Sequence, residues 1–96
     1  MEKRVLIVDD DADIRTFCST VVEDSGFKPD VAVNGEEALE KMRKEKPDLI
    51  LLDLMMPKKS GVSFYKDLQS SSMSRDIPVG IISAVGIARS EAMKNF

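Results

Sequence analysis

The sequence predicts an α/β domain in which a parallel β-sheet is covered by helices on both faces. Short apolar runs alternate with segments of helical periodicity, the pattern of successive βαβ units. Two of the runs, Val5-Leu6-Ile7-Val8 and Leu49-Ile50-Leu51-Leu52, are continuous, as expected of strands buried on both faces. Both end in acid: Asp9-Asp10 follows the first and Asp53 follows the second.

The elements read in order as follows. Arg4–Val8 is the first strand, and an acidic turn over 9–13 leaves it. Ile14, Phe17, Cys18, Val21 and Val22 recur at i, i+3, i+4, i+7 and i+8, which predicts a helix with one core face. Asp11 is its expected N-cap and Gly26 its stop. Lys28–Val33 is the second strand, and Pro29, which lacks a donor, assigns it to a sheet edge. Asn34-Gly35 is a strand-to-helix turn, because helical spacing follows. Glu36–Lys44 is a helix with Ala38, Leu39 and Met42 inward and its charges outward. Glu37 and Lys41 form an i,i+4 pair, worth roughly 0.2–0.5 kcal/mol. Pro47 closes that region, and Leu49–Asp53 is the third strand. Gly61 opens a third helix with Val62, Tyr65 and Leu68 on one face and Phe64 adjoining. Residues 70–74, four serines and a methionine, are expected to be a mobile connector. Val79–Ser83 is the fourth strand, preceded by Pro78 and weakened by Gly80. A last helix is expected from about Ala88.

Ninety-six residues form one domain, spanning 1–96. The 43% apolar content suits a folded core, and the 32% charged residues carry both signs. A net charge of −3 argues against direct nucleic-acid binding, which calls for a basic patch. No apolar stretch is long enough to span a bilayer, and the N-terminus lacks the apolar core of a signal peptide. With a single cysteine, Cys18, no internal disulfide forms, so the expected location is the cytoplasm. Cys18 reads as a small buried hydrophobe on a helix face. There is no histidine, which excludes His-based catalysis and His–metal sites.

In an open parallel sheet, ligands bind beyond the carboxyl ends of the strands. Here that rim carries Asp9, Asp10, Asp53 and Ser83. A ligand set of oxygens alone suits a hard cation such as Mg²⁺, which takes one or two carboxylates together with phosphate oxygens. One carboxylate then remains to act as a nucleophile toward a phosphoryl donor. Ser83 can donate a hydrogen bond to the phosphoryl product. Plainer roles compete at each position. Asp53 can cap the turn that follows it, and Asp9 and Asp10 can cap the first helix, although Asp11 and Asp13 are placed to do so. Ser83 can bond to backbone. Met55-Met56 reads as packing, since no thiolate or imidazole accompanies it, and Lys58-Lys59 as a solvated loop able to attract an acidic donor surface.

Val8-Asp9-Asp10, Asp53 with Met56-Pro57 and Gly61 behind it, and Pro78-Val79-Gly80-Ile81-Ile82-Ser83-Ala84 resemble the receiver domain of bacterial two-component response regulators. The resemblance runs from residue 4 to about residue 90, and Asp-x-x-Met-Pro-x-x-x-Gly is its specific part. It implies a flavodoxin-like, doubly wound parallel sheet, here of order 2-1-3-4. It implies that Asp53 accepts a phosphoryl group from a sensor histidine kinase or phosphotransfer protein. Asp10 would bind Mg²⁺ directly, Asp9 chiefly through water, and Met55 through its backbone carbonyl. Ser83 would turn toward the phosphoryl group and start the switch that changes binding of a downstream effector, with small Ala84 leaving the acceptor accessible. Met55 and Val85 would flank the path of the hydrolysing water, and being apolar they imply slow loss of phosphate.

The family pattern continues with a fifth strand ending in lysine and a fifth helix. Nothing after Ser83 matches that strand, and Lys94 falls within the predicted last helix, so no catalytic lysine is assigned. The chain therefore reads as a C-terminally incomplete receiver whose fourth strand is an open edge that permits a homodimer. The alternative function is a receiver-like interaction module that takes no phosphate. A metal-dependent phosphohydrolase fits less well, because Asp53-Leu54-Met55 lacks the second acid of an Asp-x-Asp. A mononucleotide fold lacks its Gly-rich loop. Beyond its own Mg²⁺-dependent phosphotransfer and dephosphorylation, no enzyme activity is expected.

Overall fold

Val5, Leu6, Ile7 and Val8 are at most 2% exposed because their strand has a neighbour on each side and a helical layer on each face. This is β1 (Arg4–Val8), in a computed structural model that describes residues 2–54 and 61–82. The other described elements are α1 (Ala12–Asp24), β2 (Lys28–Ala32), α2 (Gly35–Lys44), β3 (Leu49–Asp53), α3 (Gly61–Ser70) and β4 (Val79–Ile82). The strands lie in the order β2-β1-β3-β4 and every pairing is parallel. This is the doubly wound, flavodoxin-like order that the family resemblance implies.

The continuous apolar strands divide their side chains between two cores. Leu6, Val8, Ala32, Ile50 and Leu52 pack against Ala38 and Met42 of α2 and Phe64 and Leu68 of α3. Val5, Ile7, Leu49, Leu51 and Ile82 pack with Cys18 and Val22 of α1. Each fully buried aliphatic side chain contributes about 1.5–3 kcal/mol relative to exposure. The two central strands, β1 and β3, are thus the main apolar anchor. Pro29 sits on β2, an edge strand, where its missing N–H costs no ladder bond.

Local signals set the helix ends. Asp11 is the N-cap of α1, its side chain accepting from the Asp13 and Ile14 amides, and Asn34 caps α2 by accepting from the Glu37 amide. Past the end of α1, Gly26 takes φ 88°, and the Phe27 amide turns back to the Val22 carbonyl at 3.1 Å. β2 ends at Ala32, one residue short of the expected Val33, because Val33 and Asn34 already form the turn into α2.

Two further expectations change. Phe17 is 51% exposed, because α1 meets the sheet along Cys18 and Val22 with Ile14 and Val21 at the flanks, and Phe17 falls outside that stripe. The inner face of α3 is Gly61, Phe64 and Leu68, at i, i+3 and i+7, while Val62 and Tyr65 are exposed. The serine-rich connector is a hydrogen-bonded turn. The Ser74 and Arg75 amides donate to the Ser71 carbonyl, and the buried Ser74 hydroxyl donates to the Leu68 carbonyl at 2.9 Å. No described helix is long and apolar enough to cross a membrane. The expected last helix lies outside the described residues.

The rotation of α3 makes a direct prediction. Phe64→Ala should destabilise the protein by about 3–5 kcal/mol, whereas Val62→Ala should stay within roughly 0.5 kcal/mol. Urea denaturation of both variants checks this, and comparable losses would mean that the helix presents the other face.

Candidate functional site

The rim is assembled by register. Val8 of β1 pairs with Leu52 of β3, so the residues that follow, Asp9 and Asp53, leave the sheet side by side. Val8 also pairs with Ala32, whose carbonyl accepts from the Asp9 amide at 3.1 Å. Asp9, Asp10 and Asp53 each offer a carboxylate oxygen, and these three oxygens lie within 4.8 Å of one another. Burial grades across the group: Asp9 is 2% exposed, Asp53 half-buried and Asp10 exposed.

Hydrogen bonds orient Asp9. Its Oδ1 accepts from the Asp11 amide at 2.9 Å, and its backbone carbonyl accepts from Arg15 Nη1 at 2.9 Å. Capping of α1 is the work of Asp11, whose Oδ1 accepts from the Asp13 and Ile14 amides at 2.8 and 3.2 Å. The cap role that competed for Asp9 and Asp10 is therefore filled by a neighbour.

Burial pushes the Asp9 carboxyl above the usual aspartate range. The Asp11 amide bond opposes that rise, while the charges of Asp53, Asp10 and Asp11 add to it. Three acids this close, one of them desolvated, form an anionic group in which like charges oppose joint ionisation. The donors are all oxygen, which matches Mg²⁺ chemistry.

Sequence reasoning did not anticipate the part played by Gly61. A Cβ on Gly61 would stand 2.0 Å from the Asp53 carbonyl oxygen and 2.2 Å from the Leu54 Cα. The first turn of α3 thus rests on the backbone that carries the Asp53 side chain, and only a residue without a side chain fits. The fixed glycine of the Asp-x-x-Met-Pro-x-x-x-Gly segment was the available signal. Arg15 was also missed, since a helical arginine carries no mark that it will hold a strand-end carbonyl. Met55, Ser83, Ala84, Val85 and Lys94 lie outside the described residues, as do Met56-Pro57 and Lys58-Lys59.

Two outcomes follow from this geometry. Gly61→Ala should cost about 1–3 kcal/mol or more by overpacking, and should shift the Asp53 amide resonance as the strand end moves. A full-stability variant with an unmoved Asp53 resonance would contradict the contact. Asp9→Asn should raise the melting temperature of the metal-free protein at pH 7 by removing a desolvated charge from the trio. The folded protein holds the Asp9 proton more tightly than the unfolded chain does. Its contribution is therefore greatest in acid and is lost as pH rises through the raised folded-state value. The advantage of Asp9→Asn should accordingly narrow on acidification, and melts in chelator at both ends of that range check the sign.

Comparison with known proteins agrees with the geometry. The profile of the response regulator receiver domain matches residues 5–95. The phosphate regulon transcriptional regulatory protein PhoB of Escherichia coli (strain K12) is 44% identical over 86 residues, covering 90% of this chain and 38% of its own length. The alkaline phosphatase synthesis transcriptional regulatory protein PhoP of Bacillus subtilis (strain 168) is 44% identical over 73 residues, covering 76% of this chain and 30% of its own. The chain thus spans well under half the length of these curated relatives. Among solved structures, the chemotaxis protein CheY4 of Vibrio cholerae superposes with a TM-score of 0.80 at 30% identity, covering 97% of this chain and 81% of its own. The N-terminal domain of a response regulator receiver protein from Methanoculleus marisnigri JR1 also gives 0.80, at 37% identity, covering 84% of this chain and 66% of its own. On this match, which spans nearly all of its length, the chain belongs to the response regulator receiver domain family.

Proposed function

We propose that this receiver domain is a phosphorylation-controlled signalling switch with Asp53 as its phosphoacceptor. The observation that carries the reading is the placement of three carboxylate oxygens within 4.8 Å at the carboxyl rim of the sheet, with Asp53 half-buried beside the more deeply set Asp9. An Asp53 oxygen attacks the phosphorus of a phosphohistidine on a sensor kinase or phosphotransfer protein. The new P–O bond forms as the P–N bond breaks, and the electron pair returns to the imidazole.

Asp10, Asp9 and Asp53, with the Met55 carbonyl, are the groups that would hold Mg²⁺. When bound, Mg²⁺ supplies positive charge that offsets the carboxylates and the incoming phosphoryl oxygens. Asp9 stays oriented by the Asp11 amide while this happens, and Gly61 keeps the Asp53 backbone in place from below. Ser83 donates to the phosphoryl group and Ala84 leaves room for it. Met55 and Val85 are apolar, so they orient no water, and the phosphoryl group is retained for longer. The domain acts on its own aspartate and on no external substrate. Its working location is the cytoplasm, its output passes to an effector protein, and at a net charge of −3 it does not itself contact nucleic acid.

Acetyl phosphate with Mg²⁺ should add one phosphoryl mass to the wild type and none to Asp53→Asn, whose circular dichroism should remain that of a folded domain. An unmodified wild type would favour the alternative, an interaction module that takes no phosphate. Followed over time, the same adduct reads its lifetime, and loss faster in the wild type than in Met55→Asn would count against the role given to Met55.

A further inference from the structure

The outer edge of β2 is closed by side chains. Among the described residues, β1 is the one strand beside β2. The Lys28 amide donates to the Lys3 carbonyl at 2.9 Å, and the Asp9 amide to the Ala32 carbonyl at 3.1 Å, so Lys28 and Ala32 turn their main-chain groups toward β1. The alternation of a strand then directs the main-chain groups of Pro29, Val31 and Val33 outward, where an added strand would bond.

Each outward donor in this stretch is already satisfied or absent. Pro29 has no N–H. The Val31 amide donates to Asp30 Oδ1 at 2.9 Å, and the Val33 amide to Glu37 Oε1 at 3.3 Å. The outward Val31 carbonyl accepts from Lys41 Nζ. That ammonium also lies 3.2 Å from Asp30 Oδ1 and 3.8 Å from Glu37 Oε1, so one cation ties the closing groups together. Arg4 holds the other oxygen of Asp30 at 3.3 Å.

We propose that Lys41, Glu37 and Asp30 form an edge lock that keeps β2 from pairing with the β2 edge of a second copy of this chain. Strand pairing through backbone groups reads little sequence, and every molecule in solution carries the same edge. A two-fold axis through Val31 would set two β2 strands antiparallel and let the Val31 residues exchange both hydrogen bonds. The lock removes both groups from that exchange. The inference is independent of the role assigned to Asp53.

Light scattering over a concentration series tests it, comparing the wild type with Lys41→Met, which keeps the apolar stem and removes the ammonium. The expected result is a mass that rises with concentration above that of the wild type, toward about twice the wild-type value as two-fold pairing saturates. Adding Val31→Pro, which removes the exchanged donor, should return the mass to the wild-type curve. A cooperatively folding Lys41→Met with wild-type mass throughout, or an excess mass that survives Val31→Pro, would overturn the proposal. Amide exchange of the intact wild type decides the matter independently of how Lys41→Met folds. Val31 and Val33 should exchange more slowly than exposed coil, and coil-like exchange at both would also overturn the lock.

Discussion

The in-register pairing of β1 with β3 is the constraint on which the rest depends. Once Val8 sits beside Leu52, the chain must release Asp9 and Asp53 at one point of the rim, and Asp10 follows. Nothing in the acids themselves favours that meeting, since like charges at this distance repel and Asp9 is desolvated as well. The apolar side chains of the same two strands enforce it. A slip of either strand by one residue would turn its two sets of side chains to the wrong faces and disrupt both cores at once.

The site is therefore a place where core stability is used against local electrostatics. Val5–Val8 and Leu49–Leu52 are nearly all fully buried, and at about 1.5–3 kcal/mol for each aliphatic side chain they outweigh the cost of crowding three carboxylates. The repulsion that remains is the local cost of placing the three carboxylates at one point of the rim. Gly61 serves the same end from the other side, because the absence of a side chain lets α3 press on the Asp53 backbone. The residues that create the site and those that hold the fold are adjacent members of the same strands.

Legibility in the sequence followed the strength of the local signal. Continuous apolar runs ending in acid allow little choice of structure, and β1 and β3 appear with the expected boundaries. Capping chemistry is equally local, and Asp11 and Gly26 act where the sequence placed them, while Asn34, read as a turn residue, also caps α2, which starts at Gly35 and not at the expected Glu36. Helix faces were harder. Val62, Tyr65 and Leu68 have acceptable helical spacing, but so do Gly61, Phe64 and Leu68, and the choice depends on how the helix is rotated. The burial of Phe64 and Leu68 sets that rotation and brings Gly61 against the Asp53 backbone, a proximity that no periodicity encodes. Phe17 reads as inward by the same periodicity, and its exposure reflects the narrow line along which α1 touches the sheet. Glu37 and Lys41 read as an ordinary surface pair, and their second set of partners lies on β2.

By itself, then, the sequence determined the alternation of strands and helices, the two strand ends that carry acid, the Asp11 cap and Gly26 stop of α1, the edge position of β2 and the family. Each of these depends on residues close together in the chain or on a motif of fixed spacing. Only the tertiary structure decided that α3 turns Phe64 inward, that Arg15 holds the Asp9 carbonyl, and that an i,i+4 pair on α2 reaches across to close the edge of β2. Those contacts join distant segments, and their geometry exists only after the two apolar cores have set where each helix lies and how far it is turned.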